Sequence, residues 1–218
     1  MNISNRLKTI ASFINRNSSV FDVGADHGLL DAYLLNNNLV EKVVAVENKQ
    51  GPYSSIKKVL SNYPNATALY SDGLNDLNSD SSCLILAGLG GHTIVDILYK
   101  NVDKLQNIEQ IVVDAHRDTS LVRKEIIKLG YHIEKEKIVY ENHIYYFVIS
   151  FLKGIKEYND DEIEFGYRIK EDKLFEQYKN QTLEKLYIVK QKTNDNAEVL
   201  NKIRRLENLW IQLNFLEN

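Results

Sequence analysis

One cysteine, Cys83, stands in a chain of 218 residues, so no internal disulfide can form, which fits a cytoplasmic setting. Its place in the apolar run Cys83-Leu-Ile-Leu-Ala87 reads as a small core residue rather than a nucleophile. No apolar run approaches the roughly 18 residues that a membrane span requires. The stretch from Met1 to Asn15 is polar and amphipathic and lacks the apolar core of a signal peptide. Neither sign of charge dominates: 27 Lys and Arg face 30 Asp and Glu, for a net charge of −3. Any contact with nucleic acid must therefore come from a local basic patch. His92, His116, His132 and His143 have no ligand-like spacing, so no metal is expected. Only two prolines occur among abundant Asn and Lys, a bias that speaks of genome composition rather than function. No internal repeat or low-complexity segment is evident.

With 44% hydrophobic and 26% charged residues the chain reads as globular, one domain with a smaller appendage. Ser4 can cap a first helix whose apolar positions Leu7, Ile10, Ala11 and Ile14 follow a 3.6 period. Strand and helix patterns then alternate. Strands are expected near 19–23, 42–46, 66–70, 82–87 and 108–114, and helices near 28–37, 50–61, 92–103 and 118–129. Such alternation gives an α/β, doubly wound and mostly parallel sheet. Beyond it, His132 to Tyr140 and Ile144 to Leu152 form two β-rich runs joined by Glu141-Asn142-His143, an antiparallel hairpin. Five parallel strands followed by a hairpin match the Rossmann-like class I methyltransferase topology better than a dehydrogenase.

The expected division is 1–154 for the sheet domain and 155–218 for a helical, antiparallel coiled-coil appendage. Ile163 to Lys192 reads as mostly helical, with Phe175, Tyr178, Thr182, Leu186 and Val189 near one face. Thr193 to Asn196 reads as a turn. Val199, Ile203, Leu206, Trp210 and Leu213 then form a heptad seam, widened by Leu200, Leu209 and Leu216. Two such helices satisfy each other, so a monomer is expected.

The chemistry concentrates where strands end. The first strand closes in Asp22-x-Gly24-Ala25-Asp26-His27-Gly28, an acidic, glycine-bearing turn that opens a helix. The second ends in Glu47-Asn48, the third leads into Asp72-Gly73-Leu74, and the fourth into Ala87-Gly88-Leu89-Gly90-Gly91. Carboxyl ends of strands are where open α/β sheets bind ligands. Asp22 suits an ammonium, Glu47 a ribose hydroxyl pair, and Asp72 an adenine amino group; the glycines leave room. An acidic rim suits S-adenosylmethionine, which is cationic, and repels the pyrophosphate of NAD. Structural alternatives stand beside these roles. Asp22 can cap its own turn, Glu47 can be a solvated helix start, Asp72-Gly73 can be an ordinary turn, and His27 can be a packed histidine.

These motifs together resemble the bacterial tRNA (adenine(22)-N1)-methyltransferase family. Further matching points are Arg6-Leu7, Val122-Arg123-Lys124, Glu141-Asn-His-Ile-Tyr145 and Phe165-Gly166, so the likeness spans nearly the whole chain. The family usually has aromatic-Leu-Pro where Leu29-Leu30-Asp31 stands, Gln-Pro-Asn in place of Asp114-Ala115-His116, and Met in place of Leu89. The resemblance implies S-adenosyl-L-methionine as cofactor and tRNA as partner.

N1 of adenine is itself a nucleophile, so the reaction asks mainly for alignment. It leaves a cationic base that a carboxylate would stabilise. Asp26 is the first candidate, with His27 beside it, and Asp114 the second. A tRNA base must be drawn out of its stack and the remaining RNA held on basic surface. Lys185, Lys190, Lys192, Lys202, Arg204 and Arg205 in the tail, with Arg6, Lys8 and Arg123 elsewhere, are the candidates; a solvated helix face is the alternative. Competing readings are a methyltransferase for another RNA or a small molecule, and a non-catalytic RNA-binding protein that keeps the fold.

Overall fold

The computed structural model describes residues 1–192 and 196–214, with side chains described as far as Leu209. The chain divides into two compact units, Met1–Glu157 and Tyr158–Asn218.

The first unit runs α1 (Asn5–Phe13), β1 (Ser19–Val23), α2 (Leu29–Asn36), β2 (Lys42–Glu47), α3 (Gln50–Leu60), β3 (Ala66–Tyr70), β4 (Cys83–Leu89), α4 (Gly91–Tyr99), β5 (Gln110–Ala115), α5 (Thr119–Lys128), β6 (Tyr131–Glu141) and β7 (Ile144–Lys153). One seven-stranded sheet has the order β3-β2-β1-β4-β5-β7-β6. β1 to β5 pair in parallel, and β7 runs antiparallel to both its neighbours. β1 and β5 are buried at every position, as a strand covered on both faces must be. β3, at the edge, is buried at none. The β6–β7 hairpin turns on Asn142 and His143, both at positive φ (51° and 63°). That pair of conformations matches the twist of a two-residue antiparallel turn.

α1 packs against β5, β6 and β7 and buries Ile10, Ala11 and Phe13. Ser4 caps it by accepting from the Leu7 N–H at 3.3 Å. Gln110, 1% exposed, fastens its far end to the sheet. Its Nε2 donates to the Phe13 carbonyl (2.7 Å) and to Ser150 Oγ (2.8 Å), and its Oε1 accepts from the Asn15 N–H (2.9 Å).

Two expected boundaries move. The helix expected over 92–103 stops at Tyr99, and a 3-10 turn follows at Val102–Asn107. The fourth strand continues through Leu89, with an irregular register between Ala87 and Leu89.

The second unit begins with α6 (Asp160–Phe165), closed at its start by a capping box between Asn159 and Glu162. Gly166, at φ 133°, ends it, and a 3-10 turn follows at Ile169–Glu171. The segment from Ile163 expected to be mostly helical consists of the end of α6, that turn and α7 (Phe175–Lys192), which runs unbroken to its end. α8 (Ala197–Asn214) packs against α7, and the Tyr187 hydroxyl donates to Glu207 at 2.6 Å. Ile203, Leu206 and Leu209 are buried, while Val189 is exposed. The described apolar contact thus fades toward the far end of α7. Trp210, Leu213 and Leu216 of the expected seam, and Thr193 to Asp195 of the expected turn, lie outside the described residues or side chains.

Candidate active site

The sheet order steps outward in both directions from β1 and β4, so a crevice opens at their carboxyl ends. A cavity of about 440 Å³ lies there, large enough for a nucleoside-sized ligand. Four turns build its wall. After β1 the chain must reverse beside β2: Gly24 adopts φ 75° and donates to the Val46 carbonyl at 2.8 Å, followed by Ala25 at 3.1 Å. After β4, Gly88 adopts φ 76°, and a side chain there would point toward His116. Each is a conformation that glycine takes without a Cβ clash.

The cavity is lined by Asp22, Gly24, Ala25, Asp26 and His27 from the first turn, and by Glu47 and Asn48 from the second. Asp72 and Gly73 line it from the third, and Ala87, Gly88 and Leu89 from the fourth. The expected cofactor-binding positions therefore converge, with four exceptions. Leu74 is fully buried and packs inside the unit. A Cβ on Gly28 would meet Ile56, and one on Gly90 would meet Arg117. Gly91 is smallest of necessity, since a Cβ there would lie 2.8 Å from the carbonyls of Arg117 and Asp118. These four line no part of the cavity; close packing accounts for Gly91, and a left-handed φ of 67° for Gly28.

Glu47 is buried, and its Oε1 accepts from the Lys49 N–H at 2.9 Å, which fixes the carboxylate at the wall. Asn48 Nδ2 donates to Asp72 Oδ1 at 2.9 Å and joins the second turn to the third. Asp22 is 4% exposed and faces Asp31 of α2, which is fully buried. Burial pushes both carboxyls up: Asp31 reaches about 7, with the hydrogen bond that a protonated Asp22 donates pulling it down, and Asp22 lies well above its ordinary value, with the Asp31 charge pushing it further. The Asp22 charge, together with burial, also pushes the Cys83 thiol up. Asp31 was missed by sequence reasoning, because an acidic residue in the first turn of a helix reads as a solvated one.

Asp26 and His27 occupy the rim. Their side chains are 71% and 60% exposed, and 3.8 Å separates them. Asp114, the second catalytic candidate, lies outside the lining. Arg6 donates to its Oδ2 at 2.5 Å, and its Oδ1 is buried without a donor. Burial raises the Asp114 carboxyl while Arg6 and His116 draw it down. Arg6 itself lines the cavity. It stacks over the Tyr146 ring at 4.9 Å and lies 3.3 Å from His116 Nε2. So Asp114 holds Arg6, and Arg6 and His116 reach the cavity. Nothing in the sequence links positions this far apart.

Of the expected RNA contacts, Arg123 is corrected outright. It is 1% exposed and pairs with the fully buried Glu136 at 2.5 Å, so it cannot present charge to a polyanion. Lys202 is ion-paired with Glu164, and Arg205 with Asp161 at 2.7 Å. Lys8, Lys185, Lys192 and Arg204 are exposed, and Lys190 is half-buried.

Parallel strands around a nucleoside-sized cavity, with an antiparallel hairpin at one side of the sheet, define a Rossmann-like α/β domain with its site at the strand ends. Residues 3–149 match the family model described as a methyltransferase domain, and the chain belongs to that family. It is similar to the tRNA (adenine(22)-N(1))-methyltransferase of Bacillus subtilis (strain 168), 27% identical over 146 residues. That match takes in 65% of this chain but spans only 61% of the relative's length. Among solved structures it is similar to Streptococcus pneumoniae Sp1610 in complex with S-adenosyl-L-methionine (TM-score 0.88, 25% identity, 95% of this chain and 99% of that one). It is also similar to M. capricolum TrmK in complex with S-adenosyl-homocysteine (TM-score 0.84, 25% identity, 95% and 97%).

Proposed function

We propose that this chain transfers a methyl group from S-adenosyl-L-methionine to N1 of an adenine in tRNA, adenine 22 in the D-arm region. The observation that carries the reading is the convergence of Asp22, Glu47 and Asp72 on one cavity at the ends of three adjacent strands. Their spacing along the sheet provides, in order, an acceptor for an ammonium, for a hydroxyl pair and for an adenine amino group. Four carboxylates, Asp22, Asp26, Glu47 and Asp72, line the cavity beside Arg6 and Lys49, an acidic balance that suits a cationic, phosphate-free nucleoside cofactor. Likeness to a Bacillus subtilis protein of that activity and to solved structures holding S-adenosyl-L-methionine or its product supports the same reading.

When bound, the cofactor supplies an electrophilic methyl group. The chain's part is to hold the base edge toward it and to exclude competing geometry. Leu89 and Gly88 leave space beside the first turn, and Arg6 and His116 border that space. Asp26, on the rim, is placed to meet the positive charge that methylation leaves on the base. Asp114 acts through Arg6. The exposed tail cations Lys185, Lys192 and Arg204 hold the RNA backbone. The reading takes the protein to work as a monomer in the cytoplasm.

Incubation of the purified protein with unmodified total tRNA and labelled S-adenosylmethionine, followed by nucleoside digestion and mapping, tests it. N1-methyladenosine at position 22 is expected. Transfer to another base, or to none while cofactor binds, overturns the substrate assignment and leaves the fold and cavity as described.

A further inference from the structure

Asp31 presents a physical problem that the proposed reaction does not use. Its side chain is fully buried, and neither carboxylate oxygen has a hydrogen-bond partner. Among the described residues no Lys, Arg or His pairs with it or with Asp22, the carboxyl it faces. A bare buried carboxylate is strongly destabilising, since even a neutral polar group is costly to bury without partners. Two such carboxylates in contact cost more. The arrangement becomes satisfiable when one carboxyl keeps a proton and donates it to the other, as acidic pairs in low dielectric do. The surroundings agree. The remaining groups nearby are the Cys83 thiol from β4 and, across the cavity, Glu47 from β2 and Arg6 from α1, which Asp114 holds. The hydrogen bond from a protonated Asp22 and the Asp31 N–H at the start of α2 favour the ionised form of Asp31, and burial outweighs both.

We infer that Asp22 and Asp31 share one proton in the free protein, and that binding of the cofactor's ammonium at Asp22 expels that proton to solvent. Asp31 is thus a positioning residue that makes cofactor affinity depend on pH. The inference rests on the cofactor reading above and deepens it. The ammonium supplies the positive charge that the proton supplied before, so both carboxyls are ionised in the complex and the net charge of the site stays as it was. Occupancy of the site by cofactor and by proton become mutually exclusive. Acid then competes with the cofactor without any change in the fold.

Calorimetric titration of the full chain with S-adenosylhomocysteine between pH 7 and 8, where the Asp31 carboxyl ionises and the pair keeps one proton, in buffers of different ionisation heat, counts protons released per ligand bound. Titration of the free ligand in the same buffers subtracts what its own α-amino group contributes. The wild type is expected to release close to one proton, with affinity falling about tenfold per pH unit on the acid side. Asp31→Asn, whose amide can donate permanently to Asp22, is expected to release none and to hold its affinity across the range. Binding of S-adenosylhomocysteine with no proton release by the wild type overturns the inference and leaves the cofactor reading intact. So does equal release by Asp31→Asn. Failure to bind at any pH removes the cofactor reading and the inference with it. The wild-type count alone decides the matter if the variant does not fold.

Discussion

Arg123 carries a full charge at 1% exposure, and it does so because Glu136 closes a fork of hydrogen bonds on its guanidinium, from Nε at 3.1 Å and from Nη2 at 2.5 Å. Removing one member of a buried pair strands the other. Arg123→Ala is expected to cost about 3 to 5 kcal/mol in chemical denaturation, with cofactor affinity in the folded fraction unchanged. Gly91→Ala acts by a different cause. The new methyl would press on two backbone carbonyls at 2.8 Å, neither of which can swing away. The expected loss is about 1 to 3 kcal/mol, again with cofactor affinity preserved because the residue lines no part of the cavity. The Asp31 carboxyl gives the folded protein a pH dependence of its own. Its folded value of about 7 lies above the ordinary 3.8, so across that window the folded state holds a proton that the unfolded chain has released. Ligand-free stability therefore declines as pH rises from about 4 to 7, by at most about 1.4 kcal/mol per unit. Denaturant midpoints of the wild type minus those of Asp31→Asn, taken at each pH, isolate that slope from the opposing behaviour of other carboxylates. A difference that does not vary with pH would place the proton elsewhere.

At the scale of elements, α1 is the part that ties the sheet's rear face to the cavity's mouth. One end delivers Arg6 to the cavity, and the other is knotted to β5 and β7 through Gln110. Gln110→Ala leaves the Phe13 carbonyl, the Asn15 N–H and the Ser150 hydroxyl without that partner. About 1 to 3 kcal/mol is expected for a buried group left in this way, so a loss near the upper end is expected in thermal or urea unfolding. A variant as stable as the wild type would mean that water replaces the amide. The alternation of apolar strands with 3.6-period helices made α1 to α5 and β1 to β7 legible in the sequence. The acidic and glycine turns were legible because strand ends are where such sheets bind ligands. What stayed hidden is long-range pairing. Asp114 looked like a free carboxylate because Arg6, 108 positions earlier, is invisible as its partner. Arg123 looked like a surface cation because its neighbours Lys124 and Glu125 are polar, and only the packing of α5 on β6 turns it inward. Gly91 sat in a run that reads as ligand space, yet its smallness serves the loop after β5. Within the tail segment read as mostly helical, the break at Gly166 was not legible, because its φ of 133° is a backbone choice that the flanking residues do not announce.

For the whole molecule, charge has to be sorted by what each cation already holds. The chain's net charge of −3 supplies no general attraction for a polyanion, so RNA affinity must come from cations with no carboxylate of their own. In the second unit Lys202 and Arg205 fail that condition. Each is tied to an α6 carboxylate, Arg205 with its guanidinium also 5.5 Å over the Phe165 ring. Lys185, Lys192 and Arg204 meet it: they are exposed and pair with no acid among the described residues. Two sets of substitutions should therefore separate cleanly. Alanine at Lys185, Lys192 and Arg204 together is expected to leave thermal stability and S-adenosylhomocysteine affinity unchanged. It should weaken tRNA binding and make the slope of log affinity against log salt shallower by about two to three. Alanine at Arg205 should instead cost about 0.5 to 1 kcal/mol of stability, its ion pair being partly exposed, with little change in the salt slope. Filter binding over a range of salt, beside melting curves for the same proteins, reads both effects. If the triple variant keeps the wild-type slope, the tail's exposed cations are a solvated face and the RNA is held by the first unit alone, where exposed Lys8 would be the next residue to change.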